Sequence, residues 1–289
     1  MDSPHGAAVV TEGFGLKGPR GWAFRAIDID AAPGSLIAVE GASGSGRTCL
    51  LLALTGRMRP SEGRCEVGGL PLPRRMAAVR KISALGPVPS VSELDPALTV
   101  AEHLRERALL QRRFGVSVRR LLRPRPGRAA EAGALVREAL ATAGFDPAAL
   151  PKGDRTPVRA LERMECLRLS LALALIGRPR LIAIDDADLK LSDTERAEAW
   201  RLLRSIADTT GTTVLAVCSQ APGGTVVVRT GALAPGARGP AAGPDAQSPS
   251  APHGTDTADG RPTDHSTTDH GTTDHEGKKA DAFAETGRA

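Results

Sequence analysis

Gly41-Ala42-Ser43-Gly44-Ser45-Gly46-Arg47-Thr48 separates a short apolar run, Ser35–Glu40, from the helical pattern Thr48–Leu54. Glycines let a backbone curl until successive N–H groups face inward, and the helix that follows adds positive potential at its N-terminus. Residues 41 to 48, with Cys49 behind them, therefore predict a phosphate-binding turn, and the Thr48 hydroxyl is the group to offer to Mg²⁺. The strict pattern G-x-x-x-x-G-K-[ST] is not met, because Arg47 stands where lysine is expected. An ordinary strand-to-helix turn is the alternative reading of this stretch alone.

A second element changes the weighing. Leu181-Ile-Ala-Ile-Asp185-Asp186 is an apolar run ending in two carboxylates, far downstream of the glycine-rich turn. Thr212–Val217 reads as another buried strand. Between these two runs, Trp200, Leu203, Ile206 and Ala207 fall on one helical face within Thr194–Ala207. Ser192 with Glu195 predicts a capping box at the start of that helix, and Gly211 its end. Thr99 with Glu102 predicts a second capping box, opening a helix near Leu104, and Leu167–Ile176 reads as a buried helix. Short buried strands alternating with helices predict an α/β domain with a mostly parallel central sheet.

On these motifs the chain resembles the ATP-binding-cassette ATPases over roughly residues 8–232. Pro33-Gly34, Arg57-Met-Arg-Pro-Ser-Glu-Gly63, Leu94-Asp-Pro-Ala-Leu-Thr-Val100, Pro157-Val-Arg-Ala-Leu161 and Gly177-Arg-Pro-Arg180 fit the same pattern. The resemblance implies a P-loop NTPase fold with an antiparallel β part and a helical subdomain at about 100–160. It also implies Mg-ATP as ligand, with Gly41–Cys49 around the phosphates, Thr48 and Asp185 at Mg²⁺, and Asp186 as catalytic base.

The same resemblance exposes departures. Arg47 replaces the P-loop lysine, Ser90 the Q-loop glutamine, and Leu161-Glu-Arg-Met-Glu165 the signature. Asp186 stands for the catalytic glutamate, Ser219 for the switch histidine and Ser192 for the D-loop aspartate, with Asp193 adjacent. No tyrosine exists to stack on adenine, which leaves Trp22 as substitute or as core. Arginine is bulkier than lysine but still cationic. Asp186 is one methylene short of glutamate, and a 1 Å misplacement can slow a reaction on the order of 10²-fold. Glu162 and Glu165 place carboxylates where the signature meets phosphate. Slow hydrolysis is one expectation; a non-catalytic, regulatory or scaffolding subunit is the other.

The four cysteines, Cys49, Cys65, Cys166 and Cys218, lack paired or metal-type spacing, which predicts reduced thiols. The first residues read as no signal peptide, and no run approaches the ~20 apolar residues that span a bilayer. A cytoplasmic chain, peripheral at the inner face of the cell membrane through a separate transmembrane subunit, is the expectation, paired with itself or another ATP-binding subunit. The net charge of +5 divides unevenly. Residues 234–289 carry five Lys/Arg and nine Asp/Glu, leaving 33 − 24 = +9 on residues 1–233. That tail, rich in Ala, Gly, Pro, Thr, Asp and His, predicts disorder. Its three Thr-Asp-His repeats put His265, His270 and His275 up as weak metal ligands, against a solvated tail. From Arg105 to Arg128 run nine arginines with one acid, Glu106. With Phe114 the only aromatic among them, nucleic acid is not expected, and an anionic surface or an acidic segment of the membrane partner fits better. His103 reads as structural.

Overall fold

Two sheets organise the computed structural model, which describes residues 5–114 and 125–231, the side chains of 112–129 excepted. Strand β1 (Val9–Gly18) folds back on β2 (Gly21–Ala31) through the two-residue turn Pro19-Arg20. Strands β4 (Glu62–Val67) and β5 (Leu70–Leu72) extend this antiparallel sheet in the order β2-β1-β4-β5. The second sheet holds β3 (Leu36–Gly41), β6 (Ser83–Leu85), β7 (Leu181–Ile184), β8 (Thr213–Cys218) and β9 (Val226–Thr230). Its order is β6-β7-β8-β3-β9, and every pairing is parallel.

Parallel strands covered on both faces read as continuous apolar runs, and β7 and β8 are buried at every position. The pleat sends Ile37, Val39, Leu181, Ala183, Leu215 and Val217 to one side. There they meet Leu50, Leu51 and Leu54 of α1 (Arg47–Leu54) and the antiparallel sheet. Leu36, Ala38, Ile182, Ile184, Val214 and Ala216 point the other way, onto α5 (Arg163–Leu175) and α6 (Asp193–Thr210). Three further α-helices are found among the described residues: α2 (Met76–Ile82), α3 (Val100–Phe114) and α4 (Arg125–Thr142).

The expected caps are present. The Ser192 hydroxyl accepts from the Glu195 N–H at 3.3 Å, while the Glu195 carboxylate accepts from the Ser192 N–H at 2.8 Å. Gly211 ends α6 at φ 67°, where a side chain would be strained. Thr99 and Glu102 make the same exchange at the head of α3. Trp200, Leu203, Ile206 and Ala207 are all buried. His103 is buried and its Nε2 lies 3.2 Å from the Asp95 carbonyl, a structural contact. The four cysteines are free thiols. No helix among the described residues is long and apolar enough to cross a membrane. The disorder and metal-binding expectations for residues 234–289 lie outside the described residues, as do the arginine side chains from Arg112 to Arg128.

Candidate functional site

All five strands of the second sheet run the same way, so the loops that leave β3, β7 and β8 emerge at one edge. Strand β8 lies between β7 and β3. The turn after β3 therefore faces the acidic end of β7 across the end of β8, a crevice of the kind that parallel sheets use for ligands.

The glycine turn is built to a tight fit. Gly41 leaves room for nothing larger: a Cβ there would lie 2.2 Å from Thr230 Oγ1 and 2.5 Å from Ser45 Oγ. Those two hydroxyls are themselves 2.6 Å apart, pinning the floor of the turn to β9. Gly46, at φ 84°, lies under β2, where a Cβ would stand 1.9 Å from the Ala23 carbonyl oxygen. Gly44, at φ 80°, has open space around the same position.

Three contacts cross the crevice. The Thr48 hydroxyl donates to the Asp185 carboxylate at 2.6 Å, joining the helix after the turn to the end of β7. The Arg47 guanidinium donates to the Cys218 carbonyl at 2.9 Å, closing the gap over β8. Ser219 donates its backbone N–H to both oxygens of buried Asp188, at 3.1 and 3.0 Å, and its hydroxyl to one of them. Sequence reasoning singled out Ser219 but missed Asp188. The only signal was a third acid two places after Asp186, and its partner is 31 residues away.

Asp186 holds a left-handed backbone at φ 48°, uncommon for a residue with a side chain. Burial raises its carboxyl above the ordinary range, Asp185 and Asp188 push the same way, and Arg47 pulls it back. Burial, and next to it Asp185, raises the Cys49 thiol above the ordinary range. A hydroxyl and a carboxylate at 2.6 Å are hard oxygen donors that fit Mg²⁺, whereas the glycine turn at a helix N-terminus and the Arg47 cation fit phosphate.

The remaining expected positions divide. Ser90 is exposed at φ 61° in the turn closed between Val88 and Ser92. The turn reaches the crevice through the Asp185 N–H, which donates to the Pro87 carbonyl at 2.9 Å. At the head of α5 the Glu165 carboxylate accepts from the Glu162 N–H at 2.8 Å, so a carboxylate of this chain caps that helix end. Arg163 there shares a groove with Pro89, Asp186, Leu189 and Lys190. Trp22 is half-buried with the Arg25 guanidinium 4.5 Å and the Lys17 ammonium 5.7 Å from its ring centre. Its neighbour Ala23 is the residue that touches Gly46. Ser192 serves as the cap of α6, and exposed Asp193 pairs with Arg196 at 3.0 Å.

This fold and crevice place the protein among the P-loop nucleotide-binding domains of the ABC type. The family model described as ABC transporter matches residues 24–188, more than half of the chain and inclusive of the glycine turn and Asp185. The chain belongs to the ABC transporter family, as an ATP-binding domain. The Nod factor export ATP-binding protein I of Rhizobium etli is 28% identical over 190 residues, covering 66% of this chain and 53% of that protein. The zinc import ATP-binding protein ZnuC of Roseobacter denitrificans is 28% identical over 214 residues, 73% of this chain and 69% of that protein. The chain thus spans about half the length of the first of these relatives. Among solved structures, cbiO1 from Clostridium perfringens matches with a TM-score of 0.58 at 17% identity, over 73% of this chain and 78% of that one. The dimeric cassette MJ0796 matches with a TM-score of 0.59 at 16% identity, over 77% and 94%. Both likenesses are statements of fold.

Proposed function

We propose that this chain is the ATP-binding subunit of an ABC-type transporter, binding Mg-ATP and hydrolysing it slowly to drive a separate membrane subunit. The observation that carries the reading is the 2.6 Å contact of Thr48 with Asp185, which brings the two hard-oxygen donors together beside the glycine turn. The backbone of Gly41–Cys49 and the Arg47 guanidinium hold the phosphates. Thr48 and Asp185 would hold Mg²⁺, which when bound would neutralise charge on the phosphates. Asp186 orients and deprotonates the attacking water. The work is done beside a second ATP-binding subunit, at the inner face of the membrane. The three departures nearest the reaction, Arg47, Asp186 and the carboxylate-capped α5, make the reaction slow without removing the binding site.

The raised carboxyl of Asp186 supports its place as base, since proton acceptors work best with a pKa moved toward the operating pH. Its shorter side chain accounts for the low rate. Phosphate release from purified protein at saturating Mg-ATP tests the reading. Slow turnover is expected, lost in Asp185→Ala and reduced about 10²-fold or more in Asp186→Asn. Turnover that both variants leave unchanged would overturn it.

A further inference from the structure

The peptide unit between Cys218 and Ser219 is gripped at both ends by ionic side chains. Its carbonyl accepts from the Arg47 guanidinium at 2.9 Å, and its N–H donates to both oxygens of Asp188, at 3.1 and 3.0 Å. A trans peptide is planar, with its C=O and N–H pointing in opposite directions, so fixing one end fixes the other. A cation at the oxygen and an anion at the hydrogen also polarise the unit in the same sense, and each bond strengthens the other. Arg47 opens α1, Asp188 follows β7, and the peptide leaves the end of β8. Three elements of the crevice thus share one rigid plane.

Holding the loop after β8 does not account for Asp188. The Ala187 N–H already donates to the Val217 carbonyl at 2.9 Å, and the Ala221 N–H donates to the Glu40 carboxylate, so the segment is tied on both sides of Ser219. Asp188 is only 4% exposed, and among the described residues it forms no ion pair. A buried carboxylate costs stability unless hydrogen bonds answer its charge. What Asp188 adds to the neighbouring ties is the orientation of one peptide. Both donors of Ser219, its N–H and its hydroxyl, are committed to that carboxylate, which leaves Ser219 none to offer a phosphate.

The guanidinium carries five N–H donors in a planar fork, and the Cys218 carbonyl takes one of them at Nη1. A long side chain anchored at one corner loses less freedom when its remaining donors meet a ligand. We propose that Asp188 is a positioning residue for Arg47, holding the 218–219 peptide so that its carbonyl anchors the guanidinium beside the phosphate turn. The proposal rests on the reading above that Arg47 holds phosphates. The anchor suits arginine in particular, since lysine has a single nitrogen and no fork to divide between a carbonyl and a phosphate.

Two readouts on the full chain test this. The first is the ¹⁵N NMR signal of the Arg47 Nε–H without nucleotide. Asp188→Asn, which keeps the shape of the side chain, should shift or broaden that signal, whereas Asp208→Asn, exposed on α6, should not. The second is ATP titration without Mg²⁺. Removing an acid near bound phosphate tightens binding by charge alone, so the sign of the effect is informative. Asp188→Asn should instead weaken ATP by about fivefold or more, and should not weaken it when Arg47 is replaced by lysine. Ser219→Ala reads a smaller loss in the same direction should Asp188→Asn fail to fold. An unmoved Arg47 signal, ATP binding that tightens or stays the same, or an equal loss in the Arg47→Lys chain would overturn the proposal. A parent that binds no ATP overturns the nucleotide reading instead, and the Arg47 signal then upholds or overturns the anchor by itself.

Discussion

The proposed chemistry turns on one residue, Asp186, and its surroundings bear on both its use and its cost. It carries a left-handed backbone, φ 48°, two residues past the end of β7. Burial and the neighbouring Asp185 disfavour its charged form. A carboxyl whose folded pKa lies above its unfolded value binds its proton more tightly in the folded state. Stability linked to it is therefore greatest below the ordinary carboxylate range and falls as pH rises through that range to the raised folded value. Asp186→Asn removes this penalty. Its melting temperature should exceed that of the parent near neutral pH, the gap should close in mild acid, and turnover should fall. A variant that melts lower at neutral pH would show that the charge is held by partners outside this account. Asp186 was legible in the sequence because it follows an apolar run ending in a pair of acids. Asp188 was not, because its meaning lies in a hydrogen bond to Ser219 that spans two strand ends.

Among the elements, the glycine turn shows how position and not residue type decides what a substitution does. Gly44 and Gly46 have nearly the same backbone, φ 80° and 84°, so alanine at either pays the left-handed strain of about 1–2 kcal/mol. Only Gly46 abuts another strand, with the Ala23 carbonyl 1.9 Å from where a Cβ would stand. Gly46→Ala should cost roughly 3 kcal/mol or more in urea unfolding, and Gly44→Ala about half that or less. Equal losses would mean that β2 yields freely to the turn. The turn, the strands at 181 and 213 and the capping boxes at Thr99 and Ser192 could all be read from local pattern, since each rests on neighbours within a few residues. The hold of β9 on Ser45 and the cap on α5 could not. The first joins residues 185 apart, and the second depends on which way the Glu165 side chain turns.

For the molecule as a whole, the parallel sheet gathers what the sequence keeps apart. Thr48 and Asp185 are 137 residues apart and meet because β8 separates their strands by one position only. Their order along the chain was readable as the signature of a nucleotide site, but the route of Arg47 to Cys218 follows from strand order, which no local pattern records. The central claim is that this edge of the sheet binds Mg-ATP. Isothermal titration of ATP into the full chain, with and without Mg²⁺, tests it most directly, in the parent and in Asp185→Ala. ATP should bind the parent, tighter with Mg²⁺ than without, and Asp185→Ala should lose the Mg²⁺-dependent part. No heat of binding in the parent, or a gain from Mg²⁺ that Asp185→Ala retains in full, would contradict it.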